Sequence, residues 1–263
     1  MENLSLVQSV QQNQQMIYKG LLTPGDLHKA VKKVLISSGR CFVDFYRNVK
    51  SPAALQSKVL KNQAFERLIK LSQDKNFGAF LVMPHMSSFD LLFMAAATQG
   101  FRTKVLTIGK PTGGYKLQND IRATSGLEIM PISQKAHEKS IDVMRNGGFI
   151  LTAVDRPMPR QKRYLNFFGH PSPLPVGHVK MALIANVPIL VAAVHMNKEG
   201  LYELSLSKPI HMIKMPDPAE ELRCNAEIIL KQIENYILSH PSQWQMYYPV
   251  WPDNLCISQN SEA

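Results

Sequence analysis

Cysteine is scarce in this chain: only Cys41, Cys224 and Cys256 occur among 263 residues, far apart and with no C-x-x-C pair. That spacing argues against a disulfide scaffold or a cysteine zinc site and suits a reducing compartment. Long apolar runs are also missing. The best, Val187 to Met196, is interrupted by Pro188 and His195, where a membrane span needs about 20 apolar residues. The first 20 residues are polar, with Gln8-Ser9-Val10-Gln11-Gln12-Asn13-Gln14-Gln15 where a signal peptide would carry its apolar core. Acidic residues are outnumbered, 20 against 30 Lys and Arg, for a net charge of +10. Several motifs are absent as well: no G-x-S-x-G elbow, no H-E-x-x-H helix and no G-x-G-x-x-G. Gly109 to Lys116 is glycine-rich but lacks the G-K-[ST] ending of a phosphate loop, so it reads as a turn.

What is present is a chain that is 45% hydrophobic, enough to bury a full core. From Phe77 onward, short apolar runs alternate with helical patterns. Strands are expected at Phe80–Met83, Thr103–Thr107, Leu127–Pro131, Phe149–Val154, Tyr164–Phe168, Val187–His195 and Leu201–Leu206. Helices are expected at Phe89–Thr98, Tyr115–Thr124, His137–Arg145, Val176–Ala185 and about Ala219 to Leu238. The fold class that follows is α/β, a largely parallel or mixed central sheet flanked by helices. A helical region precedes it. One helix there follows Asp26, its candidate cap, and carries the stripe Leu27, Val31, Val34, Leu35, Phe42, Phe45, Tyr46 and Val49. A second is expected over Ala53–Leu71. Residues 1–20 read as a loosely docked polar arm, 21–253 as one domain and 254–263 as a flexible tail.

The basic excess is concentrated between Tyr18 and Lys70, with eleven Lys or Arg against three acidic residues. It suits an anionic partner, whether a bilayer, a nucleic acid or a phosphate-bearing substrate. The apolar stripe allows two readings, a helix packed on the core or an amphipathic helix lying on a membrane. Lys29, Lys32 and Lys33 fall largely on its other side.

Candidate chemistry centres on Pro84-His85-Met86-Ser87-Ser88-Phe89-Asp90, at a strand-to-helix junction where α/β folds commonly place reactive groups. An imidazole accepts a proton near neutral pH, and a carboxylate can fix its tautomer and stabilise the imidazolium. Such a pair needs no protein nucleophile if a substrate hydroxyl serves instead. Further along stand Arg122 to Gly126, then Asp155-Arg156, the basic loop Arg160, Lys162 and Arg163, Phe167-Phe168-Gly169, and Pro241 to Trp251. His170, His178 and His195, with Asp155, have spacings that match no common metal site.

In this order the blocks resemble the bacterial lipid A lauroyl/myristoyl acyltransferase family of the lysophospholipid acyltransferase superfamily, which includes phosphatidylinositol mannoside acyltransferases. The likeness rests on an H-x4-D block at His85–Asp90, an R-x-x-x-G block at Arg122–Gly126, an acidic-basic pair at Asp155-Arg156 ahead of Phe-Phe-Gly, and a closing block at Pro241–Trp251. It runs from about Leu27 to Trp251. The chain departs from the family in having Phe89 where tryptophan is usual, in showing no N-terminal membrane anchor, and in lacking the second Trp, the His and the Arg of the closing block.

The resemblance implies transfer of a fatty acyl group from acyl-CoA or acyl-carrier protein to a hydroxyl of a membrane glycolipid or phospholipid. It implies no metal or redox cofactor. His85 would be the general base and Asp90 its orienting carboxylate. Arg122 would hold a phosphate or developing negative charge, Asp155 would bind acceptor hydroxyls or tether Arg156, and Arg156 would belong to the same substrate-binding set. Trp244 and Trp251 would lie at a bilayer interface or in the core. The expected setting is peripheral, on an anionic surface at the cytoplasmic face of the plasma membrane, with no nucleic acid partner. The alternatives are a basic lipid- or nucleic-acid-binding protein on the same fold, or a thioester hydrolase with water as acceptor.

Overall fold

The computed structural model describes residues 5–110, 112–158 and 163–252. Its centre is a six-stranded sheet made from β1 (Ala79–Met83), β2 (Thr103–Thr107), β3 (Glu128–Pro131), β4 (Phe149–Ala153), β7 (Ile189–Met196) and β8 (Tyr202–Leu206), in the order β3-β2-β4-β1-β7-β8. All neighbours are parallel except β7 and β8. That last pair is a hairpin closed by Asn197–Gly200, with Gly200 at φ +79°. The α/β expectation thus stands, with one antiparallel edge. A separate short hairpin joins β5 (Leu165–Phe167) to β6 (His170–Ser172), where the sequence suggests a single strand over Tyr164–Phe168.

β1 lies mid-sheet and is buried along its whole length. Strand periodicity sends its side chains alternately to two cores. Phe80 and Val82 face a core shared with α7 (Gln134–Arg145), α8 (Gly177–Ala185) and α9 (Pro218–Ser239). Ala79, Leu81 and Met83 face one shared with α2 (Pro24–Asn48), α4 (Gln63–Gln73) and α5 (Phe89–Ala97). Helices therefore cover both faces, as a buried parallel sheet requires. At Gly147, before β4, φ is +76° and an added Cβ would lie 1.9 Å from the Lys75 carbonyl oxygen, so only glycine fits the turn.

Three expectations are corrected. The span Ala53–Leu71 is two helices, α3 (Pro52–Ser57) and α4, because Asn62 caps α4 and the chain between them pairs with Tyr202. Asp26 is not the cap of α2: Thr23 is, its hydroxyl accepting from Asp26 N, while Asp26 lies in the favourable first turn. Within the stretch 1–20, residues Leu6–Ile17 form a docked helix, α1, opened by a capping box at Ser5. Its polar residues are buried for a reason. Asn13 Nδ2 donates to the carbonyls of Met246 and Tyr248, Asn13 Oδ1 accepts from Val250 N, and Gln14 Nε2 donates to Pro241 O. Amide side chains thus satisfy the main chain of an irregular closing segment that has no ladder of its own. The suggested tail 254–263 and loop residues Arg160 and Lys162 lie outside the described residues.

Candidate active site

The sheet register brings two residues together. Met83 pairs with Ala153 on adjacent parallel strands, and Val154 N donates to Met83 O at 3.1 Å. His85 and Asp155 each lie two residues beyond that pair, so they emerge side by side at the carboxyl edge. The chain then leaves β1 towards β2 and leaves β4 towards β7, in opposite directions across the sheet. Open α/β sheets bind ligands at such a switch point.

His85 Nδ1 lies 2.6 Å from Asp155 Oδ1, and the His85 main-chain N donates to Asp155 Oδ2 at 2.8 Å. Trp244 Nε1 donates to that same Oδ2, also at 2.8 Å. Asp155 is fully buried, whereas the His85 side chain is 31% exposed. A buried carboxylate on Nδ1 fixes the tautomer that leaves Nε2 as the basic nitrogen. Ser87, two residues on, has φ +49°, an uncommon conformation for a residue with a side chain. It is held by a bond from its N to Gln243 O and by contact with Cys41 Sγ at 3.6 Å.

Asp90 takes a different partner from the one expected. It sits in the first turn of α5, and its two oxygens accept from Arg122 Nε and one terminal Arg122 nitrogen, each at 2.8 Å. Arg122 lies in the last turn of α6 (Gly113–Thr124), so each charge sits at the helix end that favours it. The other terminal nitrogen of Arg122 donates to Asn119 Oδ1, and the guanidinium lies over the Tyr115 ring. Burial disfavours this cation, but the Asp90 carboxylate more than offsets that, and the guanidinium is held more firmly protonated than usual. Only 5% of Arg122 is exposed. The carboxylate on His85 is therefore Asp155, and Arg122 holds Asp90 rather than standing open to a phosphate.

Arg156 is half-buried, its guanidinium 3.7 Å from the centre of the Tyr248 ring. Both tryptophans are buried with Phe167 and Phe168 in one aromatic cluster, Trp251 donating to Phe167 O. That rules out the bilayer-interface reading for them. Among the described residues no group of three or more His, Cys, Asp or Glu is placed to hold a metal ion. Of the histidines weighed as ligands, His195 stacks on His240 and approaches Glu203. His178 is buried against Phe80 with neither ring nitrogen hydrogen-bonded, and burial pushes its pKa down to about 3.

Trp244 is the site-proximal residue that sequence reasoning assigned elsewhere. The signal available was its closing-block position, which carries no information about its partner. Asp155, which the resemblance places among the substrate-binding residues, lies 70 residues from His85 in the chain and meets it through the register of β1 with β4.

Comparison with known proteins gives the family. Residues 28–252 match the family described as bacterial lipid A biosynthesis acyltransferase. Two relatives, each named phosphatidylinositol mannoside acyltransferase, come from Mycobacterium tuberculosis strains CDC 1551 / Oshkosh and ATCC 25618 / H37Rv. Each is 26% identical over 189 residues, which is 70% of this chain and 58% of the relative. The match thus spans little more than half the length of these relatives. The chain belongs to the bacterial lipid A biosynthesis acyltransferase family.

Proposed function

We propose that this protein moves a fatty acyl group from an acyl thioester, acyl-CoA or acyl-carrier protein, to a hydroxyl of a membrane lipid. The observation that carries the reading is the His85–Asp155 pair at 2.6 Å, with a buried carboxylate behind a partly exposed imidazole. His85 Nε2 takes the proton of the acceptor hydroxyl as its oxygen forms a bond to the thioester carbonyl carbon. The tetrahedral adduct then collapses with cleavage of the C–S bond, and the imidazolium returns its proton to the departing thiolate. The Asp155 carboxylate stabilises the imidazolium. No protein nucleophile and no cofactor beyond the acyl donor enter this scheme. Asp90 and Arg122 brace the junction that carries His85, and Arg156 is the cation available to an acidic acceptor beside the base.

The names of the relatives point to a phosphoinositol glycolipid as the acceptor class. Attachment is peripheral, at an anionic surface on the cytoplasmic face. Among the described residues no helix is long and apolar enough to cross a membrane. On α2 the exposed residues Lys29, Lys32, Lys33 and Arg40 accompany exposed Ile36, Phe42 and Val43, the mixture a charged bilayer surface accepts. The apolar stripe divides: Val31, Val34, Cys41 and Phe45 pack inward, while Phe42 is 60% exposed.

The test is purified protein supplied with labelled acyl-CoA and vesicles containing phosphatidylinositol mannoside. Label should enter the lipid, and His85→Ala should stop it. Label appearing only as free fatty acid would make the protein a hydrolase. Vesicle binding without turnover, with either acyl donor, would make it a binding protein.

A further inference from the structure

The structure assigns Trp244 as a positioning residue for the His85–Asp155 pair, an assignment that rests on the general-base reading above. The Asp155 carboxylate is fully buried, so each of its oxygens needs a donor. Oδ1 faces His85 Nδ1, while Oδ2 accepts from the His85 main-chain N and from Trp244 Nε1. The indole is thus the one side-chain donor besides His85 that the described residues bring to this carboxylate. It carries no charge and does not titrate. It stabilises the anion from the side opposite the imidazole without competing for the proton.

The main chain shows why the indole is so placed. Residues 243–245 run antiparallel to residues 85–87: Ser87 N donates to Gln243 O at 2.9 Å, Gln245 N donates to His85 O at 2.8 Å, and Met86 bridges Trp244. The Gln243 side chain accepts from Met196 N and donates to Met196 O, which ties this segment to the end of β7. His85 is therefore fixed through its own backbone and through its carboxylate by one short piece of chain. Of the other charged groups near the pair, Asp90 is held by Arg122, while Arg156 lies over the Tyr248 ring with its charge left for the acceptor. His178, on α8 beneath β1, is held neutral by burial.

Trp244→Phe keeps an aromatic side chain and removes the N–H. The carboxylate then becomes more basic, and the pair takes up a proton more readily. The acidic limb of the kcat/KM–pH profile should move up by about one pH unit, the scale of one hydrogen bond to a charged group. Trp251→Phe is the control. It lies in the same aromatic cluster but donates to Phe167 O, and its limb should stay at the wild-type position. A merely structural Trp244 would lower stability and leave the limb where it was, and that result overturns the assignment. If Trp244→Phe does not fold, the wild type answers by 15N–1H NMR, since the chain has only two indoles. The Trp244 Nε1–H resonance should shift with pH in step with the acidic limb of the wild-type kcat/KM profile while that of Trp251 stays flat. A flat Trp244 resonance overturns the assignment. Full activity in His85→Ala, together with a pH-dependent Trp244 resonance in the wild type, overturns the general-base reading instead and leaves the Trp244–Asp155 coupling supported.

Discussion

Asp90 stands five positions beyond His85, yet both its carboxylate oxygens are engaged by Arg122 at 2.8 Å, and the carboxylate on the His85 imidazole is that of Asp155. The H-x4-D spacing here builds a clamp between two helix termini, α5 at its start and α6 at its end. The carboxylate proposed to act with His85 and the one clamped by Arg122 are thus separate, and substitutions at each should fail differently.

Asp155→Asn removes the negative charge behind His85 while nearly keeping its shape. Acyl transfer should fall by ~10²–10⁴-fold, because the imidazolium loses its stabilising partner. Circular dichroism and KM for the acyl donor should change little. Steady-state kinetics on the purified variant decides it; wild-type kcat would transfer the role back to Asp90.

Arg122→Ala should act on stability first. It leaves Asp90, whose side chain is 19% exposed, beside an emptied site. Breaking such a pair from one side costs about 3 kcal/mol. The double variant Asp90→Asn/Arg122→Gln should lose less than the sum of the single losses, which urea unfolding measures. A stable Arg122→Ala protein with a raised KM for the lipid would instead make Arg122 a substrate ligand.

The strand-helix order was legible because each strand is a short apolar run and each following helix repeats at helical spacing. The site was half legible. His85 could be placed at a strand end, but its partner depends on which strands are neighbours, and β1 lies beside β4 through a long crossover that no local pattern records. The polar helix α1 was misread for a related reason. Asn13 and Gln14 look like solvent-facing residues until the backbone they satisfy, some 230 positions later, is folded against them.

His178 predicts a pH dependence of stability. Its folded pKa, about 3, is well below the ordinary 6.5, because burial opposes the charged form. The unfolded chain therefore binds this proton first. Stability is intact above about pH 6.5 and falls with acid down to about pH 3, by roughly 2 kcal/mol at pH ~5. His178→Leu should remove that part of the difference between urea midpoints at pH ~7.5 and pH ~5. An unchanged difference would show that the imidazole is not neutral and buried in solution.

Attachment to a bilayer should follow charge. Replacing Lys29, Lys32 and Lys33 with Gln removes three exposed cations from α2. At about 1 kcal/mol each, vesicle affinity should drop by up to ~10²-fold on anionic membranes and hardly at all on neutral ones. Turnover of a detergent-dispersed acceptor should be unaffected. Co-sedimentation indifferent to vesicle charge or to salt would contradict this mode of attachment.

The most direct test of the account is the turnover of His85→Ala, measured with acyl-CoA and a lipid acceptor on protein shown to be folded. Loss of the general base should lower kcat by ~10²–10⁴-fold with the thermal transition preserved. Turnover close to wild type in a folded His85→Ala protein would contradict it.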